Sequence, residues 1–460
     1  MKHNFPHQVF REYDIRGIAG DEVTEFFAKR LAQAYAQLLP MNSTQPVIIA
    51  RDVRLSGFRL QQTLIRGLIE QGIDVLDIGM VPTPLAYFGV YHLEAAGCIV
   101  VTASHNPAEY NGFKLMLGKD SFHGAGLQQL KHLMCDDEPA PAQHQGKLSH
   151  KDLTDDYAAF VVQDCVLRRP LKVVIDAGNG SASLIAPLLY RRLGCEVVEL
   201  YCEPDGAFPN HHPDPTVEEN MQDIARKVRE TGADIGIAFD GDGDRIGVVD
   251  EKGQMIWGDM LLLLLSRQLL KEHAGAIIIS EVKSSQILYD DIQAHGGQGV
   301  MWRTGHSPMK AKMKETGAML AGEMSGHFFF ADRHFGFDDA VYAGARMMQL
   351  LADGNHALSK FLDDVPVLFS TPEIRIDCAD DRKFALVEEA KIHFASQGYA
   401  MIEIDGMRLV FEDGWALLRA SNTQPTLVLR YEASTEAKVL EMRTLLEGWL
   451  IHHQVMTSND

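Results

Sequence analysis

A chain of 460 residues with a formal net charge of -20 has little electrostatic reason to bind nucleic acid or an anionic membrane; an anionic substrate would need positive residues gathered locally against that global field. Its 46% apolar and 23% charged content is ordinary for a globular protein, and about 150 residues per domain predicts roughly three domains. The longest strongly apolar run, 260–265, is far too short to span a bilayer. The opening Met1-Lys2-His3-Asn4-Phe5-Pro6 lacks the apolar core of a signal peptide. Six cysteines (Cys98, Cys135, Cys165, Cys195, Cys202, Cys378) show no Cys-x-x-Cys spacing, which predicts reduced thiols and a cytoplasmic location.

Taken in order, the elements repeat three times. The first unit has an apolar strand at 46–50, a helix from Gly57, a strand at 73–77 and another at 98–101. The second has strands at 171–176, 195–198 and 235–239, with a helix after Ser181. The third has strands at 276–280, 299–302 and 318–321, with a helix after Ser284. Apolar strands alternating with helices predict α/β units, whose ligands bind beyond the strand ends. In all three, the third strand runs into a polar loop: 102–107, 240–245 and 322–327. Three equivalent loops converging on one cleft is the expectation.

Composition breaks at 136–143, near 251–253 and at 363–366 divide the chain into domains 1–146, 152–253, 254–366 and 370–460. The last has an α+β pattern: strands near 373–376, 408–411 and 415–418, a helix near 384–397 and a final helix. The Pro-rich stretch 204–215 is expected as a surface loop.

The loop Asp240-Gly241-Asp242-Gly243-Asp244-Arg245 carries the clearest chemistry. Two carboxylates about 4 Å apart repel by roughly 4 kcal/mol at an effective dielectric of about 20. A divalent cation reverses that sign, and glycines let the chain curl around it. Hard oxygen ligands favour magnesium, manganese or calcium over zinc. Arg245 adds a fixed positive charge suited to phosphate. A solvated acidic turn is the competing reading. The spacing of Asp240, Asp242, Asp244 and Glu251 also resembles an EF-hand, but Arg245 stands where that loop needs glycine and the flanks read as strands.

Ser104, at a strand end before His105, Asn106 and Pro107, is a candidate nucleophile or phosphate carrier; a turn serine or helix N-cap is the alternative. It is not in a Gly-x-Ser-x-Gly elbow. Lys114 could hold phosphate or act as a base if desolvated. Glu323, Ser325 and His327 alternate on a glycine-bracketed loop, where a carboxylate and a hydroxyl can grip sugar hydroxyls and the imidazole can exchange a proton. The loop Arg419-Ala420-Ser421-Asn422-Thr423-Gln424 suits a phosphate cradle. Arg16, Lys114, Arg245, Lys283, Arg419 and Arg430 supply the local positive charge an anionic substrate requires.

Together these loops, with Phe10-Arg11-Glu12-Tyr13-Asp14-Ile15-Arg16-Gly17, resemble the α-D-phosphohexomutase family, most closely its bacterial phosphomannomutase/phosphoglucomutase branch. The resemblance covers nearly the whole chain in the family's order. It implies three α/β domains, mixed sheets flanked by helices, and a smaller C-terminal α+β domain around a central cleft. It implies that Ser104 is phosphorylated and that Asp240, Asp242, Asp244 and the phosphoserine oxygen hold one Mg²⁺. Arg16, His105 and Arg245 would border the phosphoserine. Glu323 and Ser325 would read sugar hydroxyls, and Arg419, Ser421, Asn422 and Thr423 the phosphate that is not reacting. Tyr13, Lys283 and His306 would complete the cleft, with Arg430 a further candidate. Lys114 and His327 are the candidates for general base and acid. The implied reaction interconverts hexose 1-phosphate and hexose 6-phosphate through a hexose 1,6-bisphosphate, which also serves as activator. Hexose phosphates are the expected partners of a monomer. The sugar-reading loop favours mannose or glucose over glucosamine by resemblance alone. Pro308, after Gly305-His306-Ser307, departs from the bulkier apolar residue expected there. A metal-dependent serine phosphatase and a non-catalytic sugar-phosphate sensor are the alternatives.

Overall fold

The computed structural model describes residues 5–40, 44–422 and 424–456. The apolar strands sort into four sheets, and three of these share one topology. In the first, Val47–Arg51 lies between Val75–Met80 and Gly97–Val101, all parallel, and Tyr110–Leu117 returns antiparallel beside Gly97–Val101. In the second, Lys172–Asp176 lies between Glu196–Leu200 and Ile235–Phe239, with Ile246–Val249 returning antiparallel. In the third, Ile277–Glu281 lies between Gln298–Trp302 and Leu320–Gly322, with Phe328–Phe330 returning antiparallel. The repeat read from sequence is therefore a structural one. Each of the three polar loops is the turn from a parallel third strand into an antiparallel fourth, a position that points beyond the sheet's C-terminal edge.

The first sheet also takes Ile15–Ile18 against Tyr110–Leu117, and Leu148–His150 after the break at 136–143. The fourth sheet is antiparallel, with Thr426–Ala433 beside Gly414–Ala420 and then Met407–Phe411. The helices Asp380–Ser396 and Glu436–His452 contribute apolar side chains to the core under this sheet. The first of them starts four residues before the expected 384, because Asp380 and Asp381 occupy its first turn, where carboxylates favour the helix dipole.

The first three domains share one continuous core, running from Ile48 and Cys98 through Ile175 and Ile237 to Ile278, Leu320 and Phe330. The fourth has a core of its own, built on Leu409, Leu418, Leu429 and Phe394. A small apolar cluster, Val282 with Trp415 and Leu417, packs it against the third. The stretch 204–215 is only partly a surface element. Gly206, Pro213, Asp214 and Pro215 are buried, and the side chain of Pro213 packs against the 178 and 241 glycines. Among the described residues no helix is long and apolar enough to cross a membrane.

Candidate active site

The acidic loop closes a hairpin whose registers pair Phe239 with Ile246. Asp240, Asp242 and Asp244 are each 0% exposed, so a solvated turn is excluded, and strand flanks exclude an EF-hand. Asp240 folds its own turn, its Oδ1 accepting the N–H groups of Asp244 and Arg245, each at 3.1 Å. Gly243 supplies a φ of +73° that a side chain would strain. Gly241 lies so close to the Ser104 carbonyl that a Cβ there would sit 2.4 Å from that oxygen.

One ligand atom from each of the three aspartates falls within 4.8 Å of the others. Buried Asp242 Oδ1 and Asp244 Oδ1 have no hydrogen-bond partner among the described residues. That donor set, all hard oxygen with unsatisfied lone pairs, fits a divalent cation such as Mg²⁺. A second group, Asp244, His327 and Asp338, shares one of its members. Lys114 Nζ donates to Asp242 Oδ2 at 2.8 Å and also to Asp244 Oδ2. Burial alone would lower the Lys114 pKa, but these two carboxylates hold the ammonium charged and its pKa above the ordinary value. Burial and the neighbouring Asp244 and Asp242 push Asp240 well up. For Asp244 the burial effect is outweighed by Lys114 and His327, which hold it well below the usual range.

Ser104 meets this loop directly. Its Oγ donates to Asp240 Oδ2 at 2.6 Å and lies 3.0 Å from His105 Nδ1. Its φ is +51°, sparsely populated for a residue with a side chain. Burial, with Arg245 and Arg16 nearby, pushes the His105 pKa well down, leaving it neutral. Arg16 enters from the adjacent strand: its Nη1 donates to Asn106 Oδ1 at 2.6 Å, while its Nε and Nη2 grip Asp14 Oδ2 at 2.8 and 2.7 Å.

The third-domain loop faces the second. Glu323 Oε1 accepts the Gly305 N–H at 2.6 Å, and its Oε2 lies 3.0 Å from His327 Nδ1, which is also 3.0 Å from Ser325 Oγ. The other imidazole nitrogen is 3.4 Å from Asp244 Oδ1 and 3.3 Å from Arg245 Nε. Burial and Arg245 would lower the His327 pKa; Asp244 and Glu323 overcome them and raise it to about 9. Burial would likewise raise Glu323, but His327 holds it at about 2. His306 stands between Tyr13 and His327, ring centroids 5.8 and 5.7 Å away. Its Nδ1 is 3.4 Å from Asp338 Oδ2, and its Nε2 has no partner among the described residues. Pro308 falls in the first turn of the helix His306–Thr316, where a missing N–H costs nothing.

From the fourth domain, Arg419 Nε and Nη2 grip Asp405 Oδ2 at 3.1 and 3.0 Å. Asn422 Nδ2 donates to the Tyr13 hydroxyl at 3.0 Å, and Tyr13 donates to the Thr304 carbonyl at 2.7 Å. Ser421 Oγ accepts the Gln424 N–H at 3.1 Å. Thr423 lies outside the described residues. Lys283 Nζ bonds Glu373 Oε1 at 2.6 Å. Arg430 lies in the strand Thr426–Ala433. It is buried against the Lys283 carbonyl, Met324 Sδ and Asp259, so it works as a strut between the third and fourth domains.

Several groups at the site were not singled out in the sequence. Asp14 orients Arg16, Thr83 donates to Asp242 Oδ2 at 2.6 Å, Asp338 faces His306, and Arg54 lies behind the serine loop. Asp14 lies inside the 10–17 motif, which gave it no role of its own, and the other three sit in no loop of unusual composition. Their one signal is being charged or polar immediately beside an apolar element.

The fold and the assembled groups define a four-domain enzyme with a seryl hydroxyl beside an oxygen cage and cations around both. Sequence models described as phosphoglucomutase/phosphomannomutase alpha/beta/alpha domains I, II and III match residues 7–124, 154–253 and 257–369, and the C-terminal domain model matches 373–446. A phosphomannomutase/phosphoglucomutase of Pseudomonas aeruginosa is 44% identical over 450 residues, covering 97% of this chain and 96% of that one. A phosphoglucomutase of Neisseria gonorrhoeae is 44% identical over 433 residues, covering 94% of each. The crystal structure of a phosphoglucomutase/phosphomannomutase family protein from Burkholderia thailandensis superimposes with a TM-score of 0.91 at 41% identity, covering 98% of each chain. The chain belongs to this family, the α-D-phosphohexomutases, and is a mutase, an intramolecular phosphotransferase.

Proposed function

We propose that this mutase interconverts hexose 1-phosphate and hexose 6-phosphate, with mannose or glucose as the sugar, and that Ser104 carries the phosphoryl group. The observation that carries this reading is the 2.6 Å contact between Ser104 Oγ and Asp240 Oδ2, at the mouth of the aspartate cage. Asp240, Asp242, Asp244 and the phosphoserine oxygen would hold one Mg²⁺, which would offset charge on the transferring group.

The chain's own residues supply the rest. Arg16, His105 and Arg245 surround the serine; Arg16 and Arg245 balance the phosphate charge. Glu323 and Ser325 accept and donate to sugar hydroxyls. Arg419, Ser421, Asn422 and Thr423 hold the phosphate that is not reacting, with Lys283, His306 and Tyr13 lining the cleft. The free sugar hydroxyl attacks phosphoserine phosphorus, a new P–O bond forms, and the Ser104 Oγ–P bond breaks. The hydroxyl proton leaves to a base at the site, for which Lys114 is the candidate, and His327, which Asp244 and Glu323 hold protonated, is the candidate acid that returns one to Ser104 Oγ. Lys114 bonds Asp242 and Asp244 and would have to give up a proton to serve as that base. The resulting hexose 1,6-bisphosphate turns end for end, and Ser104 recovers a phosphoryl from the other position. The same bisphosphate would prime unphosphorylated enzyme. The six free cysteines fit a reducing, cytoplasmic setting, and a monomer suffices because one chain supplies every group named.

Coupled assays with mannose 1-phosphate and glucose 1-phosphate test the reading. Hexose 6-phosphate should form with little free phosphate. Phosphate released in step with substrate loss would favour a serine phosphatase instead.

A further inference from the structure

Arg54 sits in the turn between the strand Val47–Arg51 and the helix Gly57–Glu70, and is only 1% exposed. A buried guanidinium must satisfy its fixed fork of donors. Here every bond from its two terminal nitrogens goes to one loop. Nη2 donates to the carbonyls of Ser104 at 2.8 Å and Asn106 at 2.5 Å; Nη1 donates to those of Pro107 at 2.6 Å and Tyr110 at 2.9 Å. Nε faces Asp52 Oδ2 at 3.2 Å. Asp52 is fully buried too, and the same oxygen accepts the Thr102 hydroxyl at 2.7 Å. Thr102 Oγ1 in turn accepts the Ser104 N–H at 2.9 Å. The peptide groups on both sides of the nucleophile are therefore fixed by one buried ion pair. The Phe208 ring, 5.3 Å from the guanidinium, closes the cradle from the 204–215 loop.

We propose that Arg54, acting with Asp52 and Thr102, is the positioning residue for the nucleophile. Its fork turns four carbonyl dipoles into the domain, away from the anionic group that Ser104 would carry. It also over-determines the strained φ of Ser104, a conformation that persists only where the surroundings enforce it. Lysine cannot replace it, because a single ammonium cannot reach four carbonyls in a plane. This inference rests on Ser104 being the phosphoryl carrier.

The test is pre-steady-state transfer from glucose 1,6-bisphosphate to the dephosphorylated full chain, followed by intact mass. Arg54→Lys should reach full phosphorylation with a rate constant lower by about 30-fold or more, since small misplacements of reacting atoms cost on that order. Thr102→Val should slow the same step by about 5-fold, as expected for one lost hydrogen bond, and it carries the test if Arg54→Lys does not fold. Substrate KM should stay within about threefold for both, since neither side chain faces the sugar. Unchanged rate constants, or a reduced final mass shift at an unchanged rate, would reduce Arg54 to a purely structural role and overturn the proposal. Wild-type chain that never takes phosphate on Ser104 would instead remove the reading beneath it.

Discussion

At the scale of single residues, the site is held by groups that could not stand alone. Three buried aspartates need positive charge beside them, and Lys114 and, beyond it, Arg245 and His327 supply it. Gly241 is equally constrained. Gly241→Ala would force a methyl group to 2.4 Å from the Ser104 carbonyl, so the serine and acidic loops must separate. We expect kcat to fall about 100-fold with the fold retained, measured by steady-state kinetics beside circular dichroism. A near-normal kcat would mean that the two loops need not touch. The aspartates and Gly241 were legible in the sequence because they share a short loop whose composition makes little sense without a ligand. Arg54 was not. Its partners begin 50 residues away, and nothing in Asp52-Val53-Arg54 announces which carbonyls will surround it. Arg430 shows the converse: a cation near the phosphate loop in sequence is spent on an interdomain contact in space.

At the scale of elements, the strand-turn-strand unit explains why three loops meet. Periodicity revealed the parallel strands, but the fourth, antiparallel strand of each unit is short or mixed in pattern, as in Phe328–Phe330, and pairing decides its place. One helix start slipped for a related reason: the acidic first turn of Asp380–Ser396 carries no apolar signal. The linkage between third and fourth domains runs through Lys283 and Glu373. Burial would raise the Glu373 pKa, but Lys283 holds it at about 2, against an ordinary value of 4.5. A depressed carboxylate stabilises the fold above its ordinary pKa and loses that contribution as pH falls toward the folded value. Thermal melts from pH 4.5 down to 2 should therefore show a steeper loss of stability for wild type than for Glu373→Gln. Equal slopes would mean that the pair contributes nothing to the interface.

At the scale of the molecule, one shared core makes the first three domains a frame, while the fourth carries its own core and a small bridge. That division suits a domain that closes on a captured phosphate. Tyr13 joins the two sides, giving its hydroxyl hydrogen to Thr304 and accepting from Asn422. Tyr13→Phe should raise KM about 3- to 10-fold with a smaller effect on kcat, as expected for one or two lost hydrogen bonds. An unchanged KM would show that the contact plays no part in substrate capture. The central claim is that the seryl oxygen at the aspartate cage carries the phosphoryl group. The most direct measurement is intact mass with peptide mapping after exposure to glucose 1,6-bisphosphate, on wild type and on Ser104→Ala. The account predicts one phosphate on Ser104 in wild type, and neither phosphate nor sustained turnover in the variant. A Ser104→Ala chain, purified free of host mutase, that turns over at near wild-type rates would contradict it.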